Sequence, residues 1–234
     1  MNHRTQEFLV QHQDIVYQYP AIPESATDKF EWIMTESDAP WLELTDIVAP
    51  YADMLEEARA LKDRFVYHRS DEDGHQGWRS IAVHGIASDK TGSAQSYGLD
   101  PKTAKYDWTD IADQCPVTVN FFKNIFPYRR YDRLRFMLLD PKGYISPHND
   151  HTQSYVGAAV NISLNNPLGC RLVTNKGTLP FKDSGSIFLF NNNHKHVVYN
   201  DSDTDRFHIV LHGEWDSPRW NPIVIDNYQR ASNG

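Results

Sequence analysis

The feature that most constrains the fold is a series of short segments between residues 133 and 215 in which apolar and polar residues alternate. The segments are rich in β-branched and aromatic residues, a pattern typical of β-strands. Glycine, asparagine, aspartate and proline separate them, as turns require. Eight strands are predicted: Arg133–Asp140, Tyr144–His148, Ala158–Asn165, Arg171–Thr174, Thr178–Lys182, Ser186–Phe190, Lys195–Asn200 and Arg206–Trp215. This many short strands with no helical period between them indicate a double-stranded β-helix, a jelly roll of the cupin kind.

The first half of the chain predicts helices and loops. Its clearest helix runs from Ile47 to Phe65, and Glu57 and Arg59 are expected to face solvent. This helix is predicted to cover the apolar outer face of the sheet through residues that recur at helical spacing: Met54, Leu55, Ala58, Leu61 and Phe65. The expected fold class is therefore mainly β with helices (α+β), a jelly roll covered on one face by N-terminal helices.

Length and composition suggest one domain of 234 residues, which is within the size range of single domains. We expect a helical and loop part over 1–130, a jelly-roll core over 131–216 and a C-terminal tail over 217–234.

The net charge of -8 argues against a nucleic-acid partner. The sequence has no apolar run long enough for a membrane span or a signal peptide, and two distant cysteines predict no disulfide framework, so a cytoplasmic location is expected. The sequence carries no signal of oligomeric state.

A candidate metal site consists of His148, Asp150 and His196. His148 and Asp150 are two residues apart, so their side chains would share one face of an extended chain. Two histidines and one carboxylate are the ligands of non-haem Fe(II) sites that leave coordination positions open. The sequence therefore predicts an iron-dependent oxygenase. His194 lies on the same face by parity, but it follows three asparagines and is expected to be a partly exposed turn residue.

A candidate anion site follows in the last predicted strand. Arg206, ten residues after His196, shares one face of that strand with His208, whereas the opposite face is apolar. Arginine binds carboxylates with two parallel hydrogen bonds. If the apolar face packs on helices, Arg206 and His208 point into the mouth of the roll, where Arg206 would bind an acidic co-substrate.

Four stretches resemble a known family: RLRFMLLDPKGYISPHND, NISLNNPLGCRLV, GSIFLFNNNHKHVVYN and DRFHIVLHGEW. They are similar to the aspartyl/asparaginyl β-hydroxylases, a family of Fe(II)- and 2-oxoglutarate-dependent oxygenases that includes bacterial proline hydroxylases. The most specific segment runs from Gly185 to Arg206. Some members have a small residue in place of the carboxylate ligand, so the presence of Asp150 resembles the proline-hydroxylase branch. A second arginine that some members carry is absent from 154–158.

The resemblance implies a dioxygenase that hydroxylates an aliphatic carbon of an amino acid, free or peptidyl, with release of succinate and CO2. Its cofactor would be Fe(II), and its co-substrate 2-oxoglutarate would bind Arg206. His208 is expected to help as a hydrogen-bond donor, and Ser146 and Asn161 are weaker candidates for the same pocket. The substrate itself is not specified by any residue.

Weaker candidates for substrate binding lie in the first half. Trp78, Arg79 and His84 belong to a predicted strand and either reach the substrate or serve in the core and at the surface. Residues 87–113 form a long loop, which is either a lid or a loop anchored by its aromatics, Tyr97, Tyr106 and Trp108. Four arginines form either a solvated edge or a site for a substrate carboxylate: Arg129, Arg130, Arg133 and Arg135.

Two rival functions fit the same residues. A cupin-type dioxygenase or isomerase that does not use 2-oxoglutarate would bind its own substrate through Arg206. A non-catalytic ligand-binding jelly roll would need the cleft but no turnover. A visible charge-transfer band on anaerobic addition of Fe(II) and 2-oxoglutarate, followed by succinate formation with oxygen, distinguishes the predicted hydroxylase from both.

Overall fold

The computed structural model describes residues 1–69, 74–150, 159–182 and 184–233. The predicted strand start at Ala158, and the stretch 154–158, lie outside the described residues. The strands are β1 (Trp41–Glu43), β2 (Val66–Tyr67), β3 (Gln76–Gly85), β4 (Asp107–Trp108), β5 (Tyr128–His148), β6 (Ala159–Ser163), β7 (Cys170–Thr174), β8 (Gly177–Thr178), β9 (Ile187–Phe190), β10 (His196–Asn200) and β11 (Arg206–Trp215). The helices are α1 (His3–His12), α2 (Lys29–Thr35), α3 (Tyr51–Ala60), α4 (Pro116–Asn124) and α5 (Ser217–Asn233).

The strands form one antiparallel sheet that curls into a jelly roll, as predicted. Its order is β1-β9-β6-β11-β5-β10-β7-β8, and β3 pairs with β5 while β2 and β4 pair with β3. Strand β5 pairs with β11 up to Leu139 and with β10 from Tyr144 onward. The two halves of the roll therefore meet along this one strand, and the cleft lies between them.

The predicted turn at Asp140–Gly143 is wrong, because β5 continues through it as a bulge. Lys142 has a positive φ of 60°. A Cβ atom at Gly143 would lie 2.8 Å from the carbonyl oxygens of Asp140 and Gln76, so only glycine fits there. The Asn200 side chain donates to the carbonyl oxygens of Leu139 and Asp140, both at 3.1 Å. The extra residues redirect the strand instead of ending it.

The outer face of the sheet is apolar and covered by helices. β11 contributes Phe207, Ile209 and Leu211 to the main core, all buried. Helix α3 buries Met54 and Ala58 in the same core, which confirms that it covers the sheet. It is shorter than predicted, because after Ala60 the chain tightens into a 3-10 turn at Lys62–Arg64.

Further cover comes from elements that the sequence patterns did not predict. The expected C-terminal tail is the 17-residue helix α5, whose Trp220, Val224 and Tyr228 are fully buried in the main core. Helix α1 packs Phe8 and Leu9 against the outer side of β7 and β10. Helices from both ends of the chain therefore enclose the roll.

The cysteines and the helices can be compared with two further expectations from the sequence. Cys115 and Cys170 are both free and buried, which confirms that they form no disulfide. No helix within the described residues combines the length and the apolar character needed to cross a bilayer.

Glu57 does not face solvent as predicted, because it caps helix α4. Its carboxylate accepts hydrogen bonds from the main-chain N–H groups of Val117, at 2.7 Å, and Thr118, at 3.0 Å, and from the Thr118 hydroxyl at 2.6 Å. The first N–H groups of a helix have no partner within the helix, and a negative charge there also interacts favourably with the helix dipole. Glu57 thus joins α3 to α4.

Replacing Glu57 with Ala should lower the free energy of unfolding by about 1 kcal/mol or more, because two helix N–H groups and a hydroxyl lose their acceptor. Urea unfolding followed by circular dichroism measures the change. Glu56→Ala is the matched control, because Glu56 is exposed and its ion pair is with Arg59 at (i, i+3) spacing and 2.7 Å, an interaction expected to contribute less than about 0.5 kcal/mol. Equal effects of the two substitutions would contradict the capping role.

Candidate active site

The two histidines of the predicted metal site are direct cross-strand partners. His148 ends β5 and His196 begins β10, and the two residues pair in the antiparallel register. Their ring centroids are 4.3 Å apart. Both rings point into the cleft, because directly opposed residues in a ladder present their side chains on the same face.

Main-chain carbonyl groups set the orientation of both rings. The Nδ1 atom of His148 lies 2.8 Å from the carbonyl oxygen of Ser146, and that of His196 lies 2.8 Å from the carbonyl oxygen of His194. A carbonyl oxygen can only accept, so each Nδ1 carries the proton and each Nε2 keeps its lone pair. This is the arrangement in which a histidine ligand is held for a metal.

Asp150 lies beyond the end of β5 and is positioned by Asn192. The Asp150 N–H donates to the Asn192 carbonyl oxygen at 3.0 Å, and the Asn192 side chain donates to Asp150 Oδ2 at 3.1 Å. Its other oxygen, Oδ1, lies 4.0 Å from His148 Nε2. One carboxylate oxygen is thus held by the turn, and the other faces the histidines.

Together, the three residues present one ligand atom each within 4.8 Å of one another. Burial lowers the pKa of His148 and, with the neighbouring His148 ring, also that of His196. Both rings are therefore neutral near pH 7, the form that binds metals. Two imidazole nitrogens and one carboxylate oxygen fit a non-haem Fe(II) that keeps positions open for other ligands.

Arg206 lies on the inner face of β11, as predicted, and is 6% exposed. Its Nε donates to Asn166 Oδ1 at 3.0 Å, and its guanidinium lies 5.5 Å from the centroid of the Phe181 ring. Among the described residues no carboxylate pairs with it. Burial lowers the pKa of Arg206 to about 10, so the guanidinium stays charged at neutral pH.

His208 is the next inward residue on β11 and is almost completely buried. Its Nδ1 lies 2.6 Å from Asn161 Oδ1 and 3.4 Å from an Arg206 NH2 group. Its Nε2 is buried and has no partner among the described residues. Burial, reinforced by the charge of Arg206, holds the pKa of His208 well below its usual value, so the ring is neutral.

A cleft with a volume of about 370 Å³ joins these groups. The metal-ligand cluster, Arg206, His208 and Asn161 all line it. Apolar side chains, including Ile145, Leu172 and Val198, belong to the buried interior of the roll and form part of the lining. The predicted metal and co-substrate groups thus share one cavity.

Three residues predicted at the site have other positions, and a fourth residue, His194, differs from its predicted exposure. Ser146 does not line the cleft: its hydroxyl bonds with Asn2 and the Gly74 carbonyl group, and its role near the metal is the carbonyl group that holds His148. Arg79 pairs with Asp140, and His84 packs edge-on against Trp108 at 5.1 Å. His194 is buried instead of partly exposed, and its Nε2 lies 3.2 Å from Asp38.

Trp78 does line the cleft, with its ring centroid 6.0 Å from that of His148. The aromatics of the 87–113 loop do not. Trp108 anchors the loop by packing against His84 and Tyr131, and the Tyr97 hydroxyl accepts a hydrogen bond from the Gly92 N–H at 2.9 Å.

Comparison of the sequence with family profiles gives a match over residues 45–214, to the aspartyl/asparaginyl beta-hydroxylase profile. The chain belongs to this family. The match includes both strands that carry the histidines and the strand that carries Arg206, and it makes the protein a member of a hydroxylase family. No curated protein sequence matches the chain.

Solved structures similar to this chain include several oxygenases of low sequence identity. A Burkholderia pseudomallei oxidoreductase of the 2OG-Fe(II) oxygenase family has 13% identity and a TM-score of 0.49, over 86% of this chain and 98% of that one. A Trichoplax adhaerens prolyl hydroxylase in complex with a hypoxia inducible factor peptide fragment has 11% identity and a TM-score of 0.46, over 81% and 88%. A Pseudomonas putida prolyl-4-hydroxylase has 12% identity and a TM-score of 0.45, over 79% and 97%.

The sequence patterns missed several groups at the site. Asn192 holds Asp150, but its sequence position indicates only a turn. Asn166 and Phe181 both contact Arg206, and no sequence pattern singled them out. Arg133 and Arg135 were noted only as members of a cluster. The alternation of β5 could have identified these two, because Leu134, Phe136 and Leu138 occupy its other face.

His196→Ala should abolish metal binding, and His194→Ala should leave it measurable. His196 presents its Nε2 to the metal-ligand cluster, whereas the side chain of His194 contacts Asp38 and Asn175 and only its main-chain carbonyl group serves His196. Anaerobic calorimetric titration with Fe(II) gives the readout without turnover. Loss of binding in His194→Ala with binding kept in His196→Ala would mean that the wrong histidine has been assigned.

Proposed function

We propose that the protein is an Fe(II)- and 2-oxoglutarate-dependent dioxygenase that hydroxylates an aliphatic carbon of an amino acid, free or peptidyl. One observation carries the proposal: a two-histidine, one-carboxylate cluster shares a cleft with a buried arginine that has no carboxylate partner among the described residues. A buried charge without a counter-ion is destabilising. An anionic co-substrate bound beside the metal would supply that counter-ion.

His148, Asp150 and His196 would hold the iron. When bound, Fe(II) and 2-oxoglutarate supply the oxidative chemistry, in which 2-oxoglutarate is converted to succinate and CO2 and one oxygen atom enters a C–H bond of the substrate. The remaining tasks fall to the protein, which orients both small molecules and keeps water from the reaction. The apolar interior of the roll next to the cluster suits the second task.

Arg206 would bind the far carboxylate of 2-oxoglutarate. Its Nε is already used by Asn166 and one NH2 hydrogen faces His208, so the NH1 group and the other NH2 hydrogen remain for the ligand. The Asn166 contact and the Phe181 ring hold the guanidinium plane in place, which lowers the entropy lost on binding.

His208 would add a second hydrogen bond to the same carboxylate. Arg206 can only donate to His208 Nδ1. The side-chain amide of Asn161 can be flipped so that its NH2 group, instead of Oδ1, faces His208 Nδ1 and also donates to it. With both neighbours donating, Nδ1 is the acceptor and Nε2 carries the proton. The buried Nε2–H, which lacks a partner among the described residues, would then point a donor at the co-substrate.

Anaerobic addition of Fe(II) and 2-oxoglutarate should produce a visible charge-transfer band, and oxygen should then yield succinate. A jelly-roll enzyme that binds only its own substrate, or a non-catalytic binding protein, gives neither signal. A panel of free amino acids and peptides, assayed for succinate formation, identifies the substrate. Absence of the band from iron-loaded protein would rule out the proposal.

Arg206→Lys should raise the Michaelis constant for 2-oxoglutarate about tenfold or more without unfolding the protein. Lysine keeps the charge but loses the planar pair of donors, and hydrogen bonds to charged groups contribute roughly 1.5–3 kcal/mol each. Succinate formation gives the constant, and thermal unfolding checks the fold. An unchanged constant would refute the role of Arg206.

A further inference from the structure

A second positively charged group lies elsewhere in the cleft. Arg133 and Arg135 are alternate residues of β5, so both point to its inner face. They line the cleft together with Arg69. Arg135 is 4% exposed, and Arg133 is partly buried. Arg69 also lies 3.9 Å from Asp150 Oδ1, at the proposed metal site. Neither Arg133 nor Arg135 has a place in the binding of iron or 2-oxoglutarate proposed above.

Their charges lack the partners that other arginines of the same strand have. Arg129 lies 3.6 Å from Asp216, and Arg130 lies 2.6 Å from Asp132, both at the exposed edge. In the part of the chain that the structure describes, neither Arg133 nor Arg135 forms an ion pair with a carboxylate. Within the described residues, two neighbouring positive charges therefore face the cavity without a carboxylate in direct contact.

Hydrogen bonding leaves this group incomplete as well. An NH1 of Arg135 donates to the Thr91 carbonyl oxygen at 2.7 Å, but its Nε is buried and has no partner among the described residues. The same is true of Nδ1 of His212, which is the cross-strand partner of Arg133. Burial, together with the adjacent Arg133, lowers the pKa of Arg135 well below its usual value. Such unsatisfied donors and charges are destabilising unless a ligand completes them.

The co-substrate cannot be that ligand if Arg206 binds it. Arg206 pairs with Leu139 and Arg135 pairs with Val210, so the two arginines are four residues apart along the strands, roughly 13 Å. The charges at the metal end also cancel. The two positive charges of Fe(II) and the one of Arg206 balance the two negative charges of 2-oxoglutarate and the one of Asp150. Among the described residues that line the cleft, the remaining positive charges are those of Arg133, Arg135 and Arg69, the last of which lies 3.9 Å from Asp150.

We propose that Arg133 and Arg135 form an anion-binding site for the substrate, which is a small molecule carrying a carboxylate or a phosphate group and not a neutral segment of a peptide. Guanidinium groups suit both anions because each accepts two parallel hydrogen bonds. The small size follows from the cavity, whose volume of about 370 Å³ is near the lower end of the range for small-molecule sites and is shared with the co-substrate. The identification of the bound anion as the substrate rests on the proposed function.

The test compares compounds that carry a given anionic group with analogues of similar shape that lack that group. Anaerobic protein loaded with Fe(II) and saturating 2-oxoglutarate is titrated calorimetrically with free amino acids and their α-amides, with O-phosphoserine and serine, and with inorganic phosphate. In wild type, at least one amino acid or O-phosphoserine should bind about tenfold or more tightly than the analogue that lacks its carboxylate or phosphate group. Preference for phosphorylated compounds identifies a phosphate, and preference for carboxylic acids over amides identifies a carboxylate.

Arg133→Gln should remove this preference, because it deletes the charge and the guanidinium donors while keeping an uncharged polar side chain at the same position. Arg129→Gln, at the exposed edge of the same strand, is the matched control and should bind like wild type. Arg135→Lys keeps the charge but loses the planar donors, and it should bind the anion more weakly while thermal unfolding shows an intact fold.

Two results would overturn the inference. One is that no compound with the anionic group binds more tightly than the analogue that lacks it and that inorganic phosphate does not bind. The other is equal binding by wild type and Arg133→Gln. The charge-transfer band separates this failure from failure of the proposed function. A charge-transfer band without Arg133-dependent binding would contradict only the proposed anion site. Arg133-dependent binding of an anion without a charge-transfer band would support the anion site and contradict the proposed 2-oxoglutarate chemistry.

Discussion

Strand β5 is the constraint on which the rest of the structure depends. It pairs with β11 along its first part, with β10 along its last part and with β3 along its other edge. The bulge at Asp140–Gly143 lets one continuous strand serve both halves of the roll. As a result, the arginines near its start and His148 at its end face the same cavity. A slip of one residue in its register would turn all of them outward.

The local alternation of residues predicted a large part of the fold and the site. In β11, parity alone assigned Phe207, Ile209 and Leu211 to the core, and Arg206 and His208 to the cleft. The same reasoning brought His148 and Asp150 together, although Asp150 lies beyond the strand end and depends on Asn192 for its position. Such patterns are informative because side chains of a strand alternate with a period of two.

The wrong predictions concern residues whose partners are distant in the sequence. Glu57 caps a helix that begins at Pro116, Ser146 contacts Asn2, and His194 contacts Asp38. Neither a period nor a turn composition contains information about such contacts. The turn signal at 140–143 failed for a related reason, since Asn200 and the pairing with β3 keep the chain in the sheet there.

The buried polar groups that lower the stability of the fold also give the cleft its capacity to bind ligands. Nε of Arg135, Nε2 of His208 and Nδ1 of His212 are buried and without a partner among the described residues, and burying such groups costs roughly 1–3 kcal/mol each. The apolar core on the outer face of the sheet offsets this loss. Ligands that complete these hydrogen bonds bind only the folded chain, so they stabilise it in proportion to the logarithm of their concentration. Stability and ligand binding are thus linked at the inner face of the sheet, while its outer face carries the fold.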